Sequence, residues 1–182
     1  MSRKYKIRDS SIPHFITSTV VNWIDIFTRL EYKNLIIESL LFCIRKKGLK
    51  VHAYCIMSNH IHLVISSLGN PLPDIIRDFK SFTSSQIHKD LISNRKESRR
   101  RWMFYLMSIE GEKRKANKGF QFWQQHNQPI ELYNDYLIRQ KINYIHMNPV
   151  KAGYVFRPED YVYSSAVNYA GLKGVMEVDC II

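Results

Sequence analysis

The chain has 182 residues and a formal net charge of +11, a size that fits one domain with room for a core. A hydrophobic content of 45% excludes a disordered chain, and the basic balance points to a polyanionic partner, nucleic acid before an acidic membrane surface. No apolar run follows the first residues and the run at 35–44 is short and broken by Glu38, so neither a signal peptide nor a membrane span is expected.

Residues 1–12 form a basic, polar lead-in, and 14–22 read as a first strand because they are rich in β-branched and aromatic residues. A helix is expected over 32–47, with Lys46 and Lys47 favouring its C-terminal dipole and Gly48 as its C-cap. A second strand at 49–57 turns through Ser58 and Asn59 into a third at 59–66. Gly69 to Pro73 break the chain before a helix at 74–93, whose inner side carries Ile75, Ile76, Phe79, Phe82 and Ile87. Residues 94–119 are the most basic stretch, with Arg99, Arg100, Arg101, Lys113, Arg114 and Lys115. That stretch is either a solvated helix extension and loop or an arm that binds DNA phosphates. Residues 120–124 read as the last strand. A helix over 135–148 follows, N-capped by Asn134, then a turn and short helix within 154–171 and an apolar tail at 175–182 expected to dock on the sheet. The order βαββα with one more strand predicts an α+β fold, a ferredoxin-like split βαβ antiparallel sheet with helices on one face. No linker or repeat divides residues 1–182. Cys43, Cys55 and Cys180 are odd in number and form no C-x-x-C, which fits a reducing cytoplasm. Cys55 is expected as a buried thiol.

Two stretches carry chemistry. In the third strand His60 and His62 share a face, because strand side chains alternate, while Ile61, Leu63 and Ile65 point into a core. At about 7 Å between Cα atoms, two imidazoles can lean together onto one divalent ion. In the 135–148 helix, Ile138, Ile142 and Ile145 form an apolar stripe. Tyr144 and Asn148, four apart, share a flank beside it, and Pro149 is expected to end the helix at Asn148. Packed on the sheet, that helix brings a phenol and a carboxamide towards the histidine face. Lys141 lies on the neighbouring surface, where it either contacts phosphate or is solvated. His146, two residues from the tyrosine, points to another face. Tyr136, Tyr161 and Tyr163 are read as packing residues, and His126 with Asn127 as a polar loop.

Met57-Ser58-Asn59-His60-Ile61-His62-Leu63-Val64, Tyr144-Ile145-His146-Met147-Asn148-Pro149-Val150-Lys151-Ala152-Gly153, and Pro158-Glu159-Asp160-Tyr161 with Ser164-Ser165 resemble the HUH single-tyrosine transposases. The resemblance is closest to their REP-associated branch and runs from about residue 15 to 171. Asn148 stands four residues after the tyrosine, as in that branch, where insertion-sequence members carry glutamine. The resemblance implies the ferredoxin-like fold, with the catalytic tyrosine on a C-terminal helix. It implies Tyr144 as nucleophile, and a Mg²⁺ or Mn²⁺ ion on His60, His62 and Asn148. The implied substrate is hairpin-bearing single-stranded DNA, cleaved through a 5′-phosphotyrosine that leaves a free 3′-hydroxyl. A phenol of ordinary acidity is ionised to about one part in a thousand at pH 7, so such chemistry needs help in removing the proton. Neutral imidazole being the ligand, activity is expected to fall below about pH 6.5.

Two other readings of the residues stay open: a non-catalytic nucleic-acid-binding ferredoxin-like module with a packed His pair, and a metal hydrolase that uses water. A single tyrosine makes one covalent bond, so a full cycle of excision and joining fits either a homodimer or a monomer acting twice.

Overall fold

The alternating stretch around the histidines is a central strand in the computed structural model of the protein, which describes residues 7–113, 119–125 and 128–182. The strands are β1 (His14–Thr19), β2 (Leu49–Ile56), β3 (His60–Ser67) and β4 (Ile130–Glu131). The helices are α1 (Leu30–Lys47), α2 (Leu72–Ser93), α3 (Arg100–Glu112), α4 (Asp135–Lys151) and α5 (Ala166–Tyr169). The sheet runs β2-β3-β1-β4, antiparallel throughout. This is the expected split βαβ arrangement, with β3 between the two strands that α1 joins.

Alternation assigns the two faces. Ile16 of β1, Tyr54 and Ile56 of β2, and Ile61, Leu63 and Ile65 of β3 are buried in one cluster with the inner sides of α1 and α2. Phe15, Ala53, Cys55 and Val64 point the other way, into a second cluster with Ile142 and Ile145 of α4. The two helices of the split unit thus cover one face, and α4, with Tyr169 of α5 and Ile181 of the tail, packs on the face that carries His60 and His62. α1 ends on Gly48 at φ +72°, where a Cβ would stand 2.8 Å from the Gly69 backbone. Only glycine fits both the left-handed turn and that approach. Ser10 of the lead-in accepts the Leu72 N–H at the start of α2.

Several expected boundaries shift. Residues 120–124 do not form the last strand: Trp123 makes a single bridge to Val20, flanked by Val21 N–H to Phe122 O and Gln124 N–H to Thr19 O. The fourth strand is Ile130–Glu131, paired with His14 and Phe15. Both of its residues are exposed, so no hydrophobic alternation announces it. α2 begins two residues earlier than expected, with Leu72 buried and Phe82 exposed. α4 runs through Pro149 to Lys151 instead of stopping at Asn148. Burying an isoleucine contributes about 2–3 kcal/mol, and α4 buries Ile142 and Ile145 together with the Pro149 ring itself. That outweighs the one hydrogen bond, about 1 kcal/mol, that proline withholds near a helix end. The tail docks as expected, with Asp179 N–H bonded to Val51 O along the outer edge of β2.

The basic segment divides into unlike parts. Glu97 is buried, and Arg99 grips it with Nε at 3.1 Å from Oε1 and Nη2 at 3.1 Å from Oε2. Arg29 reaches the same carboxylate at 3.3 Å, and Arg99 also pairs with Asp25. Arg100 donates to Ile92 O, Arg101 is exposed, and Lys113 pairs with Glu110. Arg114 and Lys115 lie outside the described residues. Removing the Arg99 side chain leaves a buried carboxylate with one cationic partner in place of two. Arg99→Ala is therefore expected to lower the unfolding free energy in urea by roughly 2–3 kcal/mol, and Arg101→Ala by under about 0.5 kcal/mol. Equal, small effects would mean that the Glu97 cluster does not hold the segment.

Candidate functional site

β3 places its two imidazoles side by side, with ring centroids 4.7 Å apart. The β1–β3 register sets Thr17 opposite His62, and Thr17 Oγ1 lies 2.8 Å from His62 Nδ1. His60 Nδ1 lies 2.6 Å from Asn59 Oδ1. An amide oxygen only accepts, so this bond puts the His60 proton on Nδ1 and leaves Nε2 with its lone pair. A donation from His62 Nδ1 to Thr17 does the same for His62. His62 is buried at 4% exposure, and its Nε2 has no hydrogen-bond partner. A buried, unpaired acceptor costs about 1–3 kcal/mol, and a cation is what such a nitrogen fits.

α4 supplies the rest of the site. Tyr144 lies on the flank of the stripe, as its spacing predicts, with its ring 5.3 Å from that of His62 and edge-on to it. Phe15 of β1 backs both, stacked on His62 at 5.6 Å and edge-on to Tyr144 at 5.9 Å. Tyr144 is 41% exposed, and its hydroxyl has no hydrogen-bond partner among the described residues. Lys141 Nζ stands 5.7 Å and Lys151 Nζ 6.0 Å from the centre of the tyrosine ring. Asn148 makes a local bond, its Nδ2 donating to Tyr144 O at 2.7 Å. The structure thus brings together His60, His62, Tyr144 and Lys141, and turns the nitrogen of Asn148 back onto its own helix. Its Oδ1 is the end left for a cation. Among the described residues no group of three or more His, Cys, Asp or Glu is placed to hold a metal ion, so an ion here would rest on the histidine pair and on oxygen donors. Such mixed N/O ligation suits Mg²⁺- or Mn²⁺-type chemistry better than structural zinc.

Sequence reasoning missed Thr17, Asn59, Phe15 and Lys151. Only the strand register, which ties 17 to 62, could have pointed to Thr17. It also left His146 without a role. That ring is buried, and its Nε2 bonds Ser165 Oγ at 2.9 Å. Ser165 in turn takes the Tyr54 N–H of β2, so the pair ties α4 to the sheet. Of the tyrosines read as packing residues, Tyr163 is buried and Tyr161 half-buried, but Tyr136 is 72% exposed. His126 and Asn127 lie outside the described residues.

A ferredoxin-like sheet thus presents paired histidines to a tyrosine on a separate helix. Residues 13–126 match the family described as "Transposase IS200 like", and the chain belongs to that family. No curated protein matches. Among solved structures, a REP-associated tyrosine transposase bound to a REP hairpin superposes with a TM-score of 0.67 at 16% identity, covering 100% of this chain and 94% of that one. It shares the fold. A candidate transposase from Deinococcus radiodurans aligns with a TM-score of 0.43 at 14% identity over 80% of this chain and 94% of that one.

Burial pushes His60 below the ordinary imidazole value, and with the charges of His60 and Lys141 it pushes His62 down to about 3. The neutral form that a metal needs therefore persists below pH 6.5, lower than the sequence alone suggests. Burial likewise holds His146 down at about 4 and lowers His52. These rings are neutral in the fold and take up protons near their ordinary value when unfolded. Their stabilising effect is therefore complete above about pH 6.5 and is lost as pH falls. Urea unfolding of the metal-free protein is expected to show a loss on the order of 2 kcal/mol for each of His62 and His146 between pH 7.5 and pH 5. Equal stability at the two pH values would mean that these rings accept protons within the fold.

Proposed function

We propose that the protein cleaves and rejoins single-stranded, hairpin-bearing DNA through a covalent bond to Tyr144. The observation that carries this reading is the juxtaposition of Tyr144 with His62, their rings 5.3 Å apart, where neither the tyrosine hydroxyl nor the buried His62 Nε2 has a partner among the described residues. The hairpin substrate is supported by the family and by the fold shared with a transposase bound to a REP hairpin.

His60 and His62 would hold a divalent cation, Mg²⁺ or Mn²⁺, with Asn148 Oδ1 as third donor. Bound there, the ion supplies Lewis-acid polarisation of a non-bridging phosphate oxygen. Asn59 would fix His60 in the tautomer that offers Nε2, and Thr17 would accept from His62 Nδ1 to leave its Nε2 free for the ion. Phe15 sets the angle of the tyrosine ring against His62. Lys141 and Lys151 flank the place where a phosphate would lie against Tyr144 and neutralise its charge. The tyrosine oxygen bonds to phosphorus and gives up its proton, the bond from phosphorus to the 3′ oxygen breaks, and that oxygen leaves as a hydroxyl after taking a proton. Rejoining is the reverse attack by a 3′-hydroxyl, which restores the phenol. One tyrosine per chain makes one such bond, so a full cycle takes two chains or two successive events on one. Arg100, Arg101, Lys113, Arg114 and Lys115 would add phosphate contacts along the DNA. The Arg99 guanidinium is already engaged by Glu97 and Asp25.

The test is a denaturing gel after incubation with labelled hairpin DNA and Mn²⁺. Wild type is expected to give an SDS-resistant adduct, Tyr144→Phe none, and Tyr136→Phe the wild-type amount. EDTA, His60→Ala and His62→Ala should each abolish the adduct. Cleavage without adduct in both wild type and Tyr144→Phe would make water the nucleophile and the protein a hydrolase. Binding without cleavage under any condition would leave a non-catalytic module.

A further inference from the structure

Beside the histidine pair stands an aromatic ring that the mechanism does not use. Trp23 is 61% exposed, and its indole lies edge-on to His60 with ring centroids 6.3 Å apart. Its backbone is unusual. Asn22 at φ 53° and Trp23 at φ 55° are the two positive-φ residues other than glycine among the described residues, and they are consecutive. A bulky residue in that region is strained. Glycine would relieve the strain, and the chain instead carries a tryptophan with most of its ring in solvent. Burial therefore does not account for the residue.

One side chain joins the tryptophan turn to the site. Asn59 accepts from His60 Nδ1 through Oδ1 and donates through Nδ2 to Trp23 O at 3.3 Å. The turn is also held by Trp23 N–H to Val20 O and by Ile24 N–H to Val21 O. The indole is thereby kept at a fixed offset from the imidazole that faces Tyr144 through its neighbour. An exposed indole offers a flat π-face of the size of a base, and stacking on it tolerates any base.

We propose that Trp23 is the stacking platform for an unpaired nucleobase next to the phosphate held at His60, and that Asn59 sets its distance from that phosphate. The assignment rests on the reading of the histidine face as a DNA site. It adds a base contact to a surface whose other described groups address phosphate.

The experiment uses two labelled twelve-nucleotide probes of equal charge, dT12 and its fully abasic counterpart, with binding read by fluorescence anisotropy in EDTA. Wild type is expected to prefer dT12. Trp23→Ala should lose dT12 affinity by roughly five- to a hundredfold and bind the abasic probe unchanged, and Trp23→Phe should recover most of the loss. Trp23→Gly relaxes the strained turn, so it should match or exceed wild type in urea stability while showing the same loss of base preference. That combination excludes unfolding as the cause. Phe42→Ala, which removes a half-exposed ring from α1 on the opposite side of the sheet, should behave as wild type. A base preference unaltered in Trp23→Ala and Trp23→Gly overturns the proposal. The Tyr144 adduct is scored on the same preparations. Adduct formation with no effect of Trp23 leaves the transposase reading standing and this one refuted. A Trp23-dependent base preference without any adduct does the reverse.

Discussion

The site depends on the pairing of β1 with β3 in a single register, with Thr17 opposite His62 and Thr19 opposite His60. Side chains alternate along a strand, so a slip by one residue would turn both histidines into the α1–α2 core and bring Ile61 and Leu63 out under α4. The apolar residues forbid that slip. Ile61, Leu63 and Ile65 are each almost fully buried on one face, and Val64 with Phe15 on the other. The geometry of the two imidazoles is therefore enforced by hydrophobic burial on both sides of a three-layer arrangement. Asn59 then selects which nitrogen His60 presents, and Thr17 holds the His62 ring through Nδ1.

This burial works against stability locally. His62 is held in the sheet with a nitrogen that none of the described residues satisfies, and it is kept neutral by the same desolvation that makes the unpaired atom costly. His52, a structural histidine, has both nitrogens engaged, with Asp179 O and Ser66 Oγ. The two residues sit on adjacent strands in the same fold, and only one is left open. Unpaired buried acceptors of this kind concentrate where a ligand completes the set.

Much of this was legible in the sequence. The strand around His60, both helices of the split unit, the Gly48 cap, the Asn134 cap whose side chain takes the Leu137 N–H, and the antiparallel ferredoxin-like class all follow from periodicity and cap chemistry. What escaped is long-range. The exposed two-residue β4 has no pattern of its own, because β1 alone dictates its position. The aromatic run at 120–124 has strand composition, but Phe122 and Trp123 are both buried and their packing replaces a ladder. Local charge density suggested Arg99 as a phosphate ligand. Its function in the fold is set by Glu97, whose burial no local pattern reveals. Trp23 was silent for the same reason, since its position beside His60 depends on a turn and on an asparagine far along the chain.

The geometry also separates Tyr144 from the other tyrosines. Tyr32 donates to Asp90, Tyr161 to Ile56 O, Tyr163 to Asn34 and Tyr169 to His52 O. Burial raises the phenols of Tyr54 and Tyr169 to about 12, so these groups are harder to ionise, and Tyr54 is fully buried. Tyr136 is exposed on the same helix as Tyr144 but stands eight residues earlier, about 12 Å along the axis. Tyr144 is exposed, its hydroxyl has no partner among the described residues, and its ring packs against Phe15 and His62. Its place on the flank of the α4 stripe achieves this. A tyrosine at position 142 or 145 would be buried against the sheet, and one on the outer face would not meet the histidines. The i, i+4, i+7 apolar pattern of α4 thus does more than dock a helix: by fixing its rotation, it decides which tyrosine ring lies against His62.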